Sequence, residues 1–209
     1  IGQVEAEITR MNTLAKENLT IAMDAFFTGN TTEIARVRHN EETIDFLNKE
    51  ITTFLVEVKG LDLNPQDTLL VGALFHVVND MERVGDHSQN ILEAAQLRHN
   101  EEIKFSEKAV KELDDLSGLI TVQIDRALDL FSRQDSSAAA IEQVEKTEQE
   151  IDDITEALRE HHVERLKQHK CSAKNGMIYL DILTNLERIG DHAENIATSV
   201  DKPLTHNIA

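Results

Sequence analysis

Several things that most functional classes depend on are scarce in this chain. Tryptophan is absent, cysteine occurs once, proline twice, and aromatic residues make up 4% of 209 positions. The single Cys171 excludes an internal disulfide and suits a reducing compartment, so the cytosol is expected. So few helix breakers and aromatics, set against many Leu, Ile, Ala and Glu residues, make an all-α composition. No run of about 18 apolar residues occurs, and the start lacks the charged-then-apolar pattern of a signal peptide, so a soluble chain with no membrane span is expected. Cations are few as well: 21 Lys and Arg stand against 39 Asp and Glu, a formal net charge of −18. A nucleic-acid backbone needs clustered Lys and Arg on one face, so nucleic-acid binding is excluded and cations or basic partners fit better.

Enzyme motifs are missing too. There is no Gly-rich phosphate loop, and Cys171 has no clear catalytic context. A ferritin-like di-iron bundle needs Glu-x-x-His pairs, and no histidine here has a glutamate three residues before it. The expectation is that the chain is not an enzyme.

What is present is a repeat. Glu82-Arg83-Val84-Gly85-Asp86-His87-Ser88-Gln89-Asn90-Ile91 returns as Glu187-Arg188-Ile189-Gly190-Asp191-His192-Ala193-Glu194-Asn195-Ile196. Ala22-Met23-Asp24-Ala25-Phe26 is answered by Ala127-Leu128-Asp129-Leu130-Phe131, and Glu41-Glu42-Thr43-Ile44-Asp45 by Glu148-Gln149-Glu150-Ile151-Asp152. The chain therefore divides into two similar units, 1–100 and 101–200, with 201–209 as a frayed tail.

Apolar spacing predicts three helices in each unit: about Gln3 to Phe27, Thr31 or Thr32 to near Gly60, and Asn64 to about Leu97; then Phe105 to Arg133, Ser136 to Gln168, and Ser172 to Val200. The third helix has the clearest start, with Asn64 as N-cap, Pro65 at the first position and Asp67 in the first turn. Three antiparallel amphipathic helices bury their stripes on one another, so the expected fold is two tandem three-helix bundles.

Four Glu-x-x-x-Asp pairs stand on matched helices: Glu41/Asp45, Glu82/Asp86, Glu148/Asp152 and Glu187/Asp191. Residues four apart lie about 40° apart on a helix, so each pair shares one face. Like charges at this spacing cost roughly 0.2–0.5 kcal/mol, and a glycine inside a helix costs roughly 0.8–1.0 kcal/mol relative to alanine. Both copies break local helix rules at the same places, as functional sites do. With Glu82 at 0°, the apolar residues of its helix average near 240°, the acids fall between about 0° and 80°, and Gly85 lies near 300°, where a neighbouring helix could approach. If second and third helices are neighbours, four carboxylates converge in each half, an oxygen-rich site suited to Mg²⁺, Ca²⁺, Mn²⁺ or iron. A lone pair of this kind in so acidic a chain is a solvated face, and duplication copies a motif without selecting it; the matched glycines favour a site. His87 and His192 lie about 100° from the Asp before them and point aside from the carboxylates. Arg83 and Arg188 either brace a carboxylate or lie in solvent. His161, His162, His169 and Cys171 form a patch without a counterpart in the first half, and a metal role is not assigned to them.

Two three-helix units, each with a Glu-Arg-(Val/Ile)-Gly-Asp-His-x-x-Asn-Ile stretch, resemble the PhoU family of phosphate-uptake regulators over nearly the whole chain. The resemblance implies multinuclear iron or zinc clusters held by Glu41, Asp45, Glu82 and Asp86 in one half and by Glu148, Asp152, Glu187 and Asp191 in the other. It further implies a regulatory module of phosphate transport and signalling, acting in the cytoplasm or at the inner face of the membrane. Its partner would be a phosphate transporter, the membrane segment of a sodium/phosphate cotransporter, or a sensor kinase. The absence of a starting Met and the phrase Ala6-Glu7-Ile8-Thr9-Arg10-Met11 lean toward the cotransporter-attached form. Monomer and homodimer both fit. Two rival readings are a dinuclear-metal hydrolase and a purely structural helical dimerisation domain.

Overall fold

The structure is a computed structural model describing residues 2–133, 135 and 137–199. Six helices follow in order: α1 (Gly2–Thr28), α2 (Ile34–Lys59), α3 (Pro65–Asn100), α4 (Glu107–Arg133), α5 (Ala138–Lys167) and α6 (Ala173–Thr198). No strand occurs among the described residues. The expected tail, 201–209, lies outside them.

Packing follows the apolar stripes. Ile8, Met11, Ala15, Leu19, Ala22 and Phe26 recur every three or four residues along α1, and all are buried. They meet Leu74, Val77, Val78, Met81 and Val84 of α3, the most extensive helix pairing in the molecule, with α2 laid against both. Each buried Ile, Leu, Val, Met or Phe side chain contributes roughly 1.5–3 kcal/mol, more than the propensity differences among ordinary residues, so the stripe decides how each helix sits. In the second half α6 takes the place of α3 and packs on both α4 and α5. The result is two tandem three-helix bundles, joined mainly by α3 against α6 and more narrowly by α1 against α4.

The duplication extends to buried polar contacts. Asn18 Nδ2 donates to the Val37 carbonyl at 3.2 Å, and Gln123 Nε2 donates to the matched Val144 carbonyl at 3.0 Å. At the α3–α6 seam the stacked rings of His87 and His192 lie 5.6 Å apart. His87 Nδ1 bonds Asn185 Oδ1 at 2.9 Å, and His192 Nδ1 bonds Asp80 Oδ1 at 2.8 Å. Asp80 and Asn185 hold matched positions, so each half supplies one histidine and one acceptor to a pseudo-two-fold contact.

Helix ends differ from the expected ones where side chains intervene. α2 starts at Ile34 rather than Thr31 or Thr32, because Asn30 Oδ1 accepts from the Thr32 backbone N–H at 3.1 Å and its hydroxyl at 2.8 Å, which holds the segment as a turn. α4 starts after Phe105, whose ring packs on Phe26 at 5.5 Å with the Arg98 guanidinium 5.1 Å from its centre. Ser106 Oγ then caps α4 by accepting from the Ala109 N–H at 3.2 Å. α3 begins as expected, with Asn64 Oδ1 accepting from the Asp67 N–H at 2.9 Å and Pro65 at the first position.

Candidate metal centres

Neighbouring helices bring the acids together three at a time. Glu41 and Asp45 on α2 and Asp86 on α3 each place a carboxylate oxygen within 4.8 Å of the others'. Glu148 and Asp152 on α5 do the same with Asp191 on α6. The two sites occupy equivalent places in the two bundles. Neither contains an imidazole or a thiolate.

The matched glycines set the approach. A Cβ at Gly85 would lie 3.2 Å from Ile44 Cδ1, a tight contact with the movable end of that α2 side chain. A Cβ at Gly190 would lie 3.1 Å from Oε2 and 3.3 Å from Oε1 of Glu148, so here the missing side chain makes room for a carboxylate. Glu148 is 6% exposed, and no donor reaches either of its oxygens. A buried acid without a donor is costly unless it is protonated or meets a cation.

Burial dominates the protonation of both clusters. It pushes Glu148 up to about 8, with repulsion from Asp191, Glu194 and Asp152 adding to it. Glu41 is pushed up to about 7 by burial and then by Asp45. Burial also raises Asp86, against the lowering effect of Arg83, and raises Asp152 together with the Asp191 charge. The direction of these shifts is that of carboxylates buried close to one another.

Two of the eight predicted ligands stand apart from the tight clusters. Glu187 is forked by Arg159, whose Nη1 and Nη2 donate at 2.9 and 2.5 Å. Glu82 lies 3.5 Å from Arg83 Nε, and burial followed by the Asp86 charge raises its pKa. Arg83 also bonds Asp86 Oδ2 at 3.2 Å, so it braces acids of its own helix. His87 and His192 point to the α3–α6 seam, as their place on the helical wheel indicates.

Sequence reasoning missed Arg159 and Glu194. Arg159 has Thr52 at its matched position and so left no trace in the repeat, although seven residues, about two turns, put it on the Asp152 face. Glu194 adds negative charge at Glu148 where the first half has the neutral Gln89, which makes the second cluster the more acidic.

The repeat agrees with the comparisons to known proteins. The sequence model of the PhoU domain matches this chain twice, at residues 8–95 and 113–200. The chain belongs to the PhoU family. A relative from Thermotoga maritima, the phosphate-specific transport system accessory protein PhoU homolog 1, is 30% identical over 203 residues, covering 94% of this chain and 84% of that one. A Burkholderia homologue of the same description is 27% identical, over 94% of this chain and 83% of its own length. Among solved structures, PhoU from Pseudomonas aeruginosa superposes with a TM-score of 0.89 at 22% identity, over 97% of this chain and 96% of its own. The phosphate transport system regulatory protein PhoU from Streptococcus pneumoniae gives 0.85 at 22% identity, over 100% and 96%. At that identity the two structures speak for the PhoU fold.

The PhoU resemblance implies metal clusters, and the residues present fit a cation. Three converging carboxylates, an orphaned pair of buried oxygens and a glycine cradle are what a metal-binding acid needs. The all-oxygen donor set suits hard ions and iron better than zinc, which also takes nitrogen and sulfur. Bound metal would supply positive charge shared between helices. Glu148 and Asp191 would then tie α5 to α6, and Glu41 and Asp86 would tie α2 to α3.

Proposed function

We propose that this PhoU-family chain is a non-enzymatic regulator of phosphate transport, working on the cytoplasmic side through contact with the transport machinery, with metal held at its two carboxylate clusters. The regulatory part is supported by likeness to transport-system accessory proteins along nearly the full chain. No described helix is long and apolar enough to cross a membrane, so contact with a transporter would be made by helical surface. The metal part rests on one observation: Glu148 is buried beside Gly190 with both oxygens unpartnered, inside a cluster repeated in the other half. Metal would convert that repulsion into a link between helices and stiffen the surface each bundle offers a partner.

Elemental analysis of the purified, untagged chain, with melting before and after chelation, tests the metal part. Two or more tightly held ions per chain, lost on chelation with several degrees of melting temperature and reduced in Glu148→Ala/Asp191→Ala, are expected. Metal-free protein that takes up nothing on reconstitution would remove the metal role. Co-purification with the phosphate transporter, and phosphate uptake in cells lacking the gene and complemented with the wild-type chain or with Glu148→Ala/Asp191→Ala, tests the regulatory part.

A further inference from the structure

The second bundle contains a cavity whose chemistry is opposite to that of the acidic clusters. About 100 Å³ in volume, it lies where the end of α5 meets the starts of α4 and α6. Lys104, Lys170, Arg165 and His162 line it, together with Ser106 and the ring of Tyr179. In a chain of net charge −18, no carboxylate among the described residues lines it.

Two of its polar groups are buried without partners. His162 is 2% exposed and its Nε2 meets no donor or acceptor. Arg165 Nη2 is likewise buried and unpartnered, although Nη1 is held by Glu112 Oε2 at 2.9 Å. Glu112 is already occupied: its carboxylate also accepts from the Tyr179 hydroxyl at 3.0 Å and meets His161 Nδ1 at 3.1 Å. Neither Lys104 nor Lys170 has a carboxylate within ion-pair reach among the described residues. The first turns of α4 and α6, capped by Ser106 and Ser172, direct partial positive charge to the same region.

The duplication shows what the first half holds in its place. At the positions matched to His162, Arg165, Gly176 and Tyr179, the first half has Leu55, Val58, Val71 and Leu74. Leu55, Val71 and Leu74 are buried core residues there. The exchange at Gly176 is required, since a Cβ at that position would lie 2.5 Å from His162 Nε2. Where the first half has apolar packing, the second has a stacked imidazole–phenol pair, 5.2 Å between ring centres, and a guanidinium 4.9 Å over the phenol ring. Exchanges of this kind weaken a core unless the polar groups gain a partner.

We propose that this cavity binds one small tetrahedral oxyanion of the inorganic phosphate class. The unpartnered Arg165 Nη2 donor, the two lysines and the helix N-termini favour an anion, and Lys104, Lys170 and Arg165 disfavour a metal at His162 and Cys171. The volume admits a single such ion and excludes a nucleotide, since sites for larger ligands start near 300 Å³. Burial and the nearby Arg165 charge lower the pKa of His162, and the charge of a bound anion would act in the opposite direction. The cavity shares no residue with the carboxylate clusters, so failure of metal loading and failure of anion binding are read separately.

The test is calorimetric titration of inorganic phosphate into the full chain at constant ionic strength. Saturable binding of one ion per chain is expected, weakened about tenfold in Lys104→Ala/Lys170→Ala, two exposed changes that leave the fold intact by circular dichroism. Restoring the first-half residue in His162→Leu should weaken it further. Sulfate competing for the same heat supports an oxyanion site. No saturation up to about 10 mM phosphate overturns the proposal, as does an equal response to chloride. Affinity undiminished in both variants also overturns it, because the ion then sits elsewhere.

Discussion

Replacing Glu148 by Gln keeps the shape of the side chain and removes its charge, which separates the cost of the buried acid from its use. In the folded chain burial pushes Glu148 up from 4.5 to about 8. Below about pH 4.5 both folded and unfolded states hold the proton, and the residue costs nothing. Between 4.5 and 8 the unfolded chain ionises while the folded one keeps its proton, so stability falls as pH rises, reaching the full loss above 8. Each unit of displacement is worth about 1.4 kcal/mol, and with a discount for solvent screening the loss is on the order of 3 kcal/mol. In a chain of this length that corresponds to about 6–12 °C of melting temperature. In chelator, Glu148→Gln should therefore melt with wild type near pH 5 and above it by that margin at pH 8.5, followed by circular dichroism. Mn²⁺ at a thousand times its dissociation constant should reverse the order, since binding at the second cluster stabilises only the protein that keeps Glu148, by about 4.1 kcal/mol. A variant that melts lower than wild type at pH 8.5 in chelator, or that gains as much from Mn²⁺, would refute the reasoning.

Substitutions at the glycines, at Arg159 and at the seam test the neighbouring contacts. Gly85→Ala meets only the flexible end of Ile44 and gains helix propensity, so urea unfolding should place it within about 1 kcal/mol of wild type; Gly190→Ala displaces the Glu148 carboxylate and should lower Mn²⁺ affinity more than stability, read by titration. Arg159→Gln frees Glu187 from its fork and should cost about 1 kcal/mol, less in high salt, because the pair is partly exposed. Asp80→Asn copies the Asn185 side of the seam and should cost under about 1 kcal/mol, whereas Asp80→Leu leaves His192 Nδ1 without its partner and should cost about 1–3 kcal/mol in denaturant unfolding.

Much of the candidate site was legible because duplication repeats its spacing. Helical periodicity alone put Glu41 with Asp45 and Glu148 with Asp152 on single faces, and Gly85 and Gly190 marked where a second helix would come close. His87 and His192 were correctly turned away from the acids by their 100° offset. What stayed hidden belongs to groups present in one half only: Arg159, Glu194, and the cavity around His162 have no echo at Thr52, Gln89 and Leu55.

By itself the sequence determined the helices, the two-fold repeat and the faces on which the acids stand, since these depend on spacing along one chain. Tertiary structure decided which acids meet. It brought Asp86 to Glu41 and Asp191 to Glu148, gave Glu187 to Arg159, and paired His87 and His192 across the seam. It also opened a basic cavity in an acidic protein. These depend on how far one helix lies from the next and how it is rotated, and those quantities are set by the packing of whole apolar faces rather than by the residues that later do the chemistry.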